Sequence, residues 1–405
     1  MTKSKLLITA LMAGTALAGC KAVGPNFQSP AAPTTPGYLM QGDAPSDFAR
    51  LSPDQRVAGA WWKSFGSADL DRVMDQALSG NLTVAAANAS LVRLQQVTVA
   101  TRGAQQPQID VNAGIEGERI NIESLGFAGF PNPTLGLYSI GGTVSYDPDL
   151  FGGLRRNSEA AAARAENQAR QADAAYLTLT GQTAMAAMQI ATVRAEIATT
   201  QQAIDEDKKV VALIREAEGV GGEAPSATTS ARAQLAADQA MLPGLQQQVD
   251  QARHQMAQLV GQAPADWSAP EFDLASFSAP AEVPVSLPSS LVRRRPDILA
   301  AEANVHVATA QLGVATAALY PDLRLTANIT QTAIPPANLL SYGASGWSLA
   351  AGLTQPVWHG GTLKANKRAA EAAANAALLR YHGTVVAAFT QIGRASCRER
   401  VSPYV

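Results

Sequence analysis

ATRGAQQPQIDVNAGI (Ala100–Ile115) and ATAALYPDLRLTANI (Ala315–Ile329) follow one grammar: the end of an alanine-rich helix, a proline, then a strand of alternating residues. Pro321 in the second answers Pro107 in the first. Further on, DPDLFGG (Asp147–Gly153) is matched by QPVWHGG (Gln355–Gly361), which sets Pro148, Gly152 and Gly153 beside Pro356, Gly360 and Gly361 as structural corners. The two spacings, about 214 and about 208 residues, are close enough to be one register with a short loop difference. Two structural repeats of one plan account for this pattern.

Each repeat holds a strand pair of period 2. Ile109, Val111, Ala113 and Ile115 alternate with Gln108, Asp110, Asn112 and Glu116, and Leu323, Leu325, Ala327 and Ile329 alternate with Asp322, Arg324, Thr326 and Asn328. The partner strands carry Tyr138, Ile140, Val144 and Tyr146, and Trp347, Leu349, Ala351 and Leu353. Strands are expected at about 106–119, 136–148, 320–331 and 346–357. One apolar and one polar face fits either a half-buried soluble sheet or a transmembrane β-barrel, whose strands need roughly 9–11 residues. Asp110, Glu116, Asp322 and Arg324 are candidates for a lumen face, and equally for ordinary solvent-facing positions. Four strands leave two open edges, which hydrocarbon does not tolerate because the edge amides lack partners. A membrane version must close by oligomerising.

Between the strand pairs lies long helix. Leu154 to Glu218 contains no proline and one glycine, Gly181; roughly 65 residues at 1.5 Å each make a rod of about 100 Å. Ala68–Ala104 and about Ser226–Val260 are each roughly half as long, with Pro243-Gly244 expected to kink or interrupt the latter. The loop GVGGEAP (Gly219–Pro225) lacks a following Lys-Ser/Thr, so its Gly219, Gly221 and Gly222 suit a tight turn between antiparallel helices better than a phosphate cradle. A soluble coiled-coil adaptor is the other use for such helices.

The N-terminus reads as export. Lys3 and Lys5 precede an apolar stretch, Leu6–Ala18, too short to span a bilayer and ending at Leu17-Ala18-Gly19-Cys20. That ending resembles a bacterial lipobox, in which the cysteine receives a diacylglyceryl group; a free thiolate is the other use for Cys20. The leader is residues 1–19. Residues 20–60 form a Pro-rich segment, either a tether along a folded body or a disordered tail. Of the 405 residues only 16% are charged, for a net charge of −2, and no basic run suggests nucleic acid. His254, His306, His359 and His382 share no metal-ligand spacing, and no nucleophile–base pair emerges, so neither an enzyme nor a cofactor beyond the covalent lipid is expected.

WWKSFGSADLDRVMDQALSGN (Trp61–Asn81), DPDLFGG, and VPVSLPSSLVRRRPDILAAEANVHVATAQLGVATAALYPDL (Val283–Leu323) resemble the outer membrane factor family, the TolC- and OprM-type channels, and its NodT-type lipoprotein branch above all. Pro296 and Asp297 within the last block suit a helix start. The resemblance implies a mixed α and β fold of duplicated repeats, with an α-helical periplasmic barrel and a trimeric transmembrane β-barrel of 12 strands, four from each copy. It further implies passive conduction of small molecules from an inner-membrane pump of the RND type and a periplasmic adaptor, with the hairpin tip touching the adaptor, and a protein lipid-anchored in the outer membrane. A structural outer membrane lipoprotein without conductance is the alternative.

On this plan residues 61–285 are the first repeat and 286–391 an incomplete second one. IGRASCRERV (Ile392–Val401) breaks the alanine-rich pattern and resembles translated sequencing-adapter read-through, so 392–405 is expected to be a non-native tail. The repeat register predicts that the second helix pair continues to roughly residue 470, and that the pore-gate residues lie in that missing segment.

Overall fold

The computed structural model describes residues 22–31, 51–53, 59–121, 126, 129, 131–278, 283–285 and 292–399. The leader, Cys20 and most of the Pro-rich segment lie outside the described residues, as does the chain beyond Glu399. In order the elements are β1 (Leu51–Pro53), α1 (Ala68–Gly80), α2 (Leu82–Gly103), β2 (Gln108–Arg119), β3 (Thr134–Tyr146), α3 (Gly153–Gly219), α4 (Pro225–Val260), β4 (Val283–Val285), α5 (Pro296–Ala317), β5 (Asp322–Ala333), β6 (Ser345–Thr354) and α6 (Thr362–Glu399). Helix, strand pair, helix therefore occurs twice. Contacts divide the chain into two units, residues 1–31, 92–167 and 300–386 in one, and 32–91, 168–299 and 387–405 in the other.

The first unit holds a four-stranded antiparallel sheet in the order β2-β3-β5-β6. Prolines trim every strand expected from the sequence. β2 and β5 start after Pro107 and Pro321, while β3 and β6 stop short of Pro148 and Pro356, because proline has no N–H for the ladder. Ile109 lies opposite Val144, which lies opposite Ala327, which lies opposite Leu349. Side chains alternate across a strand, so this row fixes one face of the whole sheet as apolar. It carries Ile109, Val111 and Ile115, then Tyr138, Ile140 and Val144, then Leu323 and Ile329, then Trp347, Leu349 and Leu353. In the single chain this face is bare: Val111 is 78% exposed and Trp347 82%.

The second unit has a conventional core. Trp62, on the 3-10 turn Trp61–Phe65, packs with Leu70, Val73 and Met74 of α1, Ile190 of α3, Met256 of α4, and Phe272. The indole N–H of Trp61 donates to Thr180 Oγ1 at 3.4 Å. Ser67 caps α1, accepting from the Leu70 N–H. β1 pairs parallel with β4, Leu51 opposite Val283.

Two expectations are corrected. The helix expected over Ala68–Ala104 is two helices, broken at Asn81, whose Oδ1 accepts from the N–H groups of Thr83 and Val84 while its Nδ2 donates to the Leu259 carbonyl at 2.8 Å. One asparagine thus caps α2, a job its Gly-Asn context signals locally, and also ties it to α4. Of the kink or interruption expected at Pro243, the interruption does not occur: α4 runs unbroken from Pro225 to Val260. The proline costs one backbone hydrogen bond, to the Gln239 carbonyl, and the packing of Val249, Ala252, Met256 and Val260 holds the helix regardless. At the other end of the chain α6 runs through Gln391 to Glu399, since Ile392–Glu399 contains no proline and only Gly393 as a weak helix former.

The ends of α1 and α4 meet glycine to glycine. Gly261, at φ 80°, ends α4 in the left-handed region, and a Cβ there would stand 2.1 Å from the Gly80 carbonyl oxygen. A Cβ on Gly80 would stand 2.4 Å from the Val260 oxygen. Gly261→Ala therefore combines backbone strain with overpacking, and is expected to destabilise this unit by about 2–4 kcal/mol, read as a drop in thermal midpoint. Gly244→Ala, in open space, is expected to leave it unchanged or raised.

Candidate functional site

The opposite face of the sheet is polar, and the same register defines it. Asp110 lies opposite Thr143, Thr143 opposite Asn328, and Asn328 opposite Ser348, whose hydroxyl accepts from Asn328 Nδ2 at 3.2 Å. Ser139, Ser145, Thr326 and Thr330 share this face, with Leu135 and Leu137 only at the end farthest from the corners. All four lumen candidates fall on it. Asp110 sits near the start of β2, Glu116 toward its far end, and Asp322 and Arg324 beside the corner, where Arg324 Nη2 lies 3.8 Å from Asp322 Oδ2. The structure thus places Asp110, Glu116, Asp322 and Arg324 on one surface without bringing them into a single cluster. No group of His, Cys, Asp and Glu able to hold a metal occurs among the described residues. No described helix is long and apolar enough to cross a membrane.

The DPDLFGG corner is built by its aspartates. Asp147 Oδ1 accepts from the Asp149 N–H at 2.7 Å, and Asp149, itself at φ 51°, turns its carboxylate onto the start of α3. There it accepts from the N–H groups of Leu154 and Arg155, at 2.9 and 2.8 Å, a charged cap at the positive end of the helix dipole. Phe151 stacks on Tyr320 with centroids 4.8 Å apart. Around them opens a cavity of about 940 Å³, lined by Asp147, Asp149, Tyr320, Asp322 and Arg324 among others. Burial, together with the nearby charges of Asp322 and Asp149, raises the Asp147 pKa above the ordinary carboxylate value. The second corner differs. Gly360 and Gly361 are both left-handed, whereas Gly153 is already the first residue of α3, and Trp358 stands 84% exposed.

A second assembly was not legible in the sequence. Residues 22–31 dock onto α3 and α5. The Val23 N–H donates to the Phe151 carbonyl at 3.0 Å. Arg156, its side chain 5% exposed, donates to the carbonyls of Val23 and Gly24, to Asn26 Oδ1 and to Glu159. Glu159 also meets His306 Nε2 at 3.0 Å, and Phe27 stacks on the His306 ring at 4.3 Å. Ser29 donates to Glu302. The approach needs glycine: a Cβ on Gly152 would lie 2.4 Å from the Ala22 Cβ, and one on Gly24 2.7 Å from the Gly313 Cα. Burial pushes the Glu159 pKa up, but the hydrogen bonds from Arg156 and His306 outweigh it and hold the carboxyl below its usual value. The one available signal was the polar-plus-aromatic Asn26-Phe27 inside an otherwise Pro-rich run. Its partners lie more than a hundred residues away.

In the other unit, α3 and α4 join through Val220–Ala224. Gly221 is left-handed at φ 77°, and the Gly222 N–H donates to the Ala217 carbonyl at 2.8 Å, closing the end of α3. Gly219 is the last residue of α3. Glu218 accepts from the buried Thr228 hydroxyl and Val220 is exposed, so the tip is a tight hairpin with an apolar point.

Comparison with known proteins places this architecture. The sequence profile of a family described as "Outer membrane efflux protein" matches residues 73–262 and 287–398. The pyoverdine export outer membrane protein OpmQ of Pseudomonas aeruginosa is 28% identical over 370 residues, covering 89% of this chain and 77% of that protein. The outer membrane protein OprJ of the same organism is 27% identical over 410 residues, covering 98% and 81%. Among solved structures, the outer-membrane channel OprN superposes with a TM-score of 0.82 at 26% identity, over 93% of this chain and 82% of that one.

The docked segment has a pH signature. Because the Glu159 pKa is lowered by folding, its contribution is present above the ordinary carboxylate range and is lost as pH falls through the depressed value. Protection of the Val23 amide against hydrogen exchange, corrected for the intrinsic rate, should therefore fall in acid. At neutral pH, Arg156→Met should cut it by about 100-fold, equivalent to about 3 kcal/mol of lost charged hydrogen bonding.

Proposed function

The chain belongs to the outer membrane efflux protein family, and we propose that it acts as the channel subunit of a tripartite assembly, conducting small molecules passively out of the cell through a homotrimer. The protein is an outer membrane efflux channel by family, and its fold is the mixed α and β one of that family. One observation carries the mechanism: a single sheet has an apolar face and a polar face in unbroken cross-strand register, with both edges unpaired among the described residues. Turned outward, the apolar face meets hydrocarbon, where each large side chain gains about 1.5–3 kcal/mol over exposure to water. Turned inward, the polar face of Asp110, Glu116, Asp322, Arg324 and the Thr and Ser rows lines a wet lumen. The strands run up, down, up, down, so one copy's β6 meets the next copy's β2 antiparallel, and any ring of copies closes without an edge.

In this reading α3 and α4 enclose the periplasmic part of the conduit, and the Gly219, Gly221, Gly222 tip meets a periplasmic adaptor. An inner-membrane pump of the RND type supplies the energy and the choice of substrate. The protein does no chemistry and needs no cofactor. Cys20 carries the lipid, and the segment after it, docked through Arg156, holds that anchor to the barrel side of the protein.

The two faces give opposite mutational outcomes in purified protein reconstituted in planar bilayers. Val111→Arg puts a charge against hydrocarbon at a cost of about 2–4 kcal/mol and should lower the yield of assembled channel. Asp110→Lys should assemble normally and shift ion selectivity toward anions. Assembled protein that never conducts would leave the structural lipoprotein as the better account. Separately, Cys20→Ser should abolish incorporation of labelled fatty acid while leaving the docked 22–31 segment protected.

A further inference from the structure

The polar face of the sheet continues onto the helices. The cavity at the first corner takes Arg324 and Thr326 of β5 and Gly352 and Thr354 of β6, all on that face. Its helical wall includes Asn157 of α3 and Val314 and Ala318 of α5. The same three residues line a second groove, of about 420 Å³, which leads away from the corner along the helices. Arg164 joins it two turns after Asn157 on α3, and Leu363 and Asn366 join it from the start of α6. On α5 the lining residues Gln311, Val314, Ala315 and Ala318 recur at the spacing of one helix face. Sheet and helices therefore present one continuous polar-lined surface.

Within this groove the polar side chains are uncommitted. A half-buried arginine ordinarily spends its donors on carboxylates or carbonyls, and the other arginines at this end of α3 do so. Arg155 pairs with Asp149, and Arg156 with Glu159 and the carbonyls of Val23 and Gly24. On α6, Lys367 pairs with Glu371 at 3.1 Å. Arg164 is half-buried, yet its side chain has no ion pair or hydrogen bond among the described residues. The same holds for the side-chain amides of Asn157, Gln311 and Asn366. No carboxylate lines the groove, and a guanidinium keeps its charge at any working pH. One permanent cation and three free amides thus stand beside an apolar strip of Val314, Ala315, Ala318 and Leu363.

We propose that this groove is a binding site for small organic carboxylates in transit. The carboxylate pairs with the Arg164 fork and accepts from the neighbouring amides, while the hydrocarbon part lies on the apolar strip. This rests on the lumen reading of the polar face and adds a ligand class to it. The volume falls within the range of small-molecule sites. An open groove with a single charge holds such a ligand loosely, and a conduit needs sites that are occupied and then vacated. In a homotrimer three such grooves ring the passage where sheet gives way to helix. A bare inorganic anion uses the cation but leaves the apolar strip wet, so the groove favours anions that carry hydrocarbon.

The test follows 4-fluorobenzoate in two ways: by fluorine NMR line broadening with the full chain in detergent, and by its block of potassium current in planar bilayers. Arg164→Gln should bind the probe about tenfold more weakly and be blocked correspondingly less. Arg164→Lys, which keeps the charge and loses the fork, should retain part of the binding. Lys364→Gln removes an exposed cation beside the groove that does not line it, and should match the parent. Unchanged binding in Arg164→Gln, or an equal loss in Lys364→Gln, would overturn the site. Inorganic phosphate displacing the probe at equal concentration would overturn the choice of an organic ligand. Conducting Arg164→Gln channels that lose binding yet are blocked like the parent would take the groove out of the conduction path and overturn the proposal. Protein that binds the probe through Arg164 but never conducts would count against the channel reading and not against the groove.

Discussion

Backbone amides at two sheet edges, unpaired among the described residues, constrain everything else in this molecule. A strand in water can leave an edge open because solvent completes its hydrogen bonds; a strand in hydrocarbon cannot. β2 and β6 present such edges on a sheet whose apolar face is fit only for an apolar environment. Those two facts force repetition of the chain around an axis, and repetition then decides the use of the other face. Polar residues turned inward on every copy make a continuous wet surface, so conduction follows from closure and requires no dedicated site.

The corners translate that sheet into helix. Asp149 spends its carboxylate on capping α3, and Asp147 shapes the turn, so the acidic residues of the first corner are structural before they are electrostatic. The second corner reaches the same end with two left-handed glycines and no aspartate. Duplicated segments need not keep the same residues, only the same backbone problem solved. Because the N-terminal segment sets Ala22 against Gly152 and Gly24 against Gly313, the first corner also serves as its dock, and Arg156 secures it through main-chain carbonyls that tolerate many sequences.

What could be read from the sequence divides along local and distant physics. Period-2 alternation and the Pro-to-Gly-Gly corners are local, and they placed four strands and both faces with errors of one to three residues, those at the corner ends traceable to a proline. The candidate lumen residues shared a face because alternation is rigid. By contrast, the roles of Arg156, Glu159 and His306 depend on partners brought together only by the fold, as does Asn81 reaching Leu259. The unbroken run of α4 past Pro243 has the opposite cause: a strong local rule was overruled by packing along the rest of α4.

Glycine is dense in these strands: Gly114 and Gly117 in β2, Gly136, Gly141 and Gly142 in β3, Gly346 and Gly352 in β6. At Gly141 a Cβ would come within 2.9 Å of the Ile329 carbonyl oxygen, a fitting reason for that one residue. Taken together, they lower the intrinsic tendency of the segment to form sheet in water. A newly exported copy thus holds its apolar rows on a chain reluctant to order alone, which keeps sticky strand edges from templating one another during transit. Neighbouring copies and an apolar surrounding then supply the pairing and burial that the composition of each strand alone does not favour.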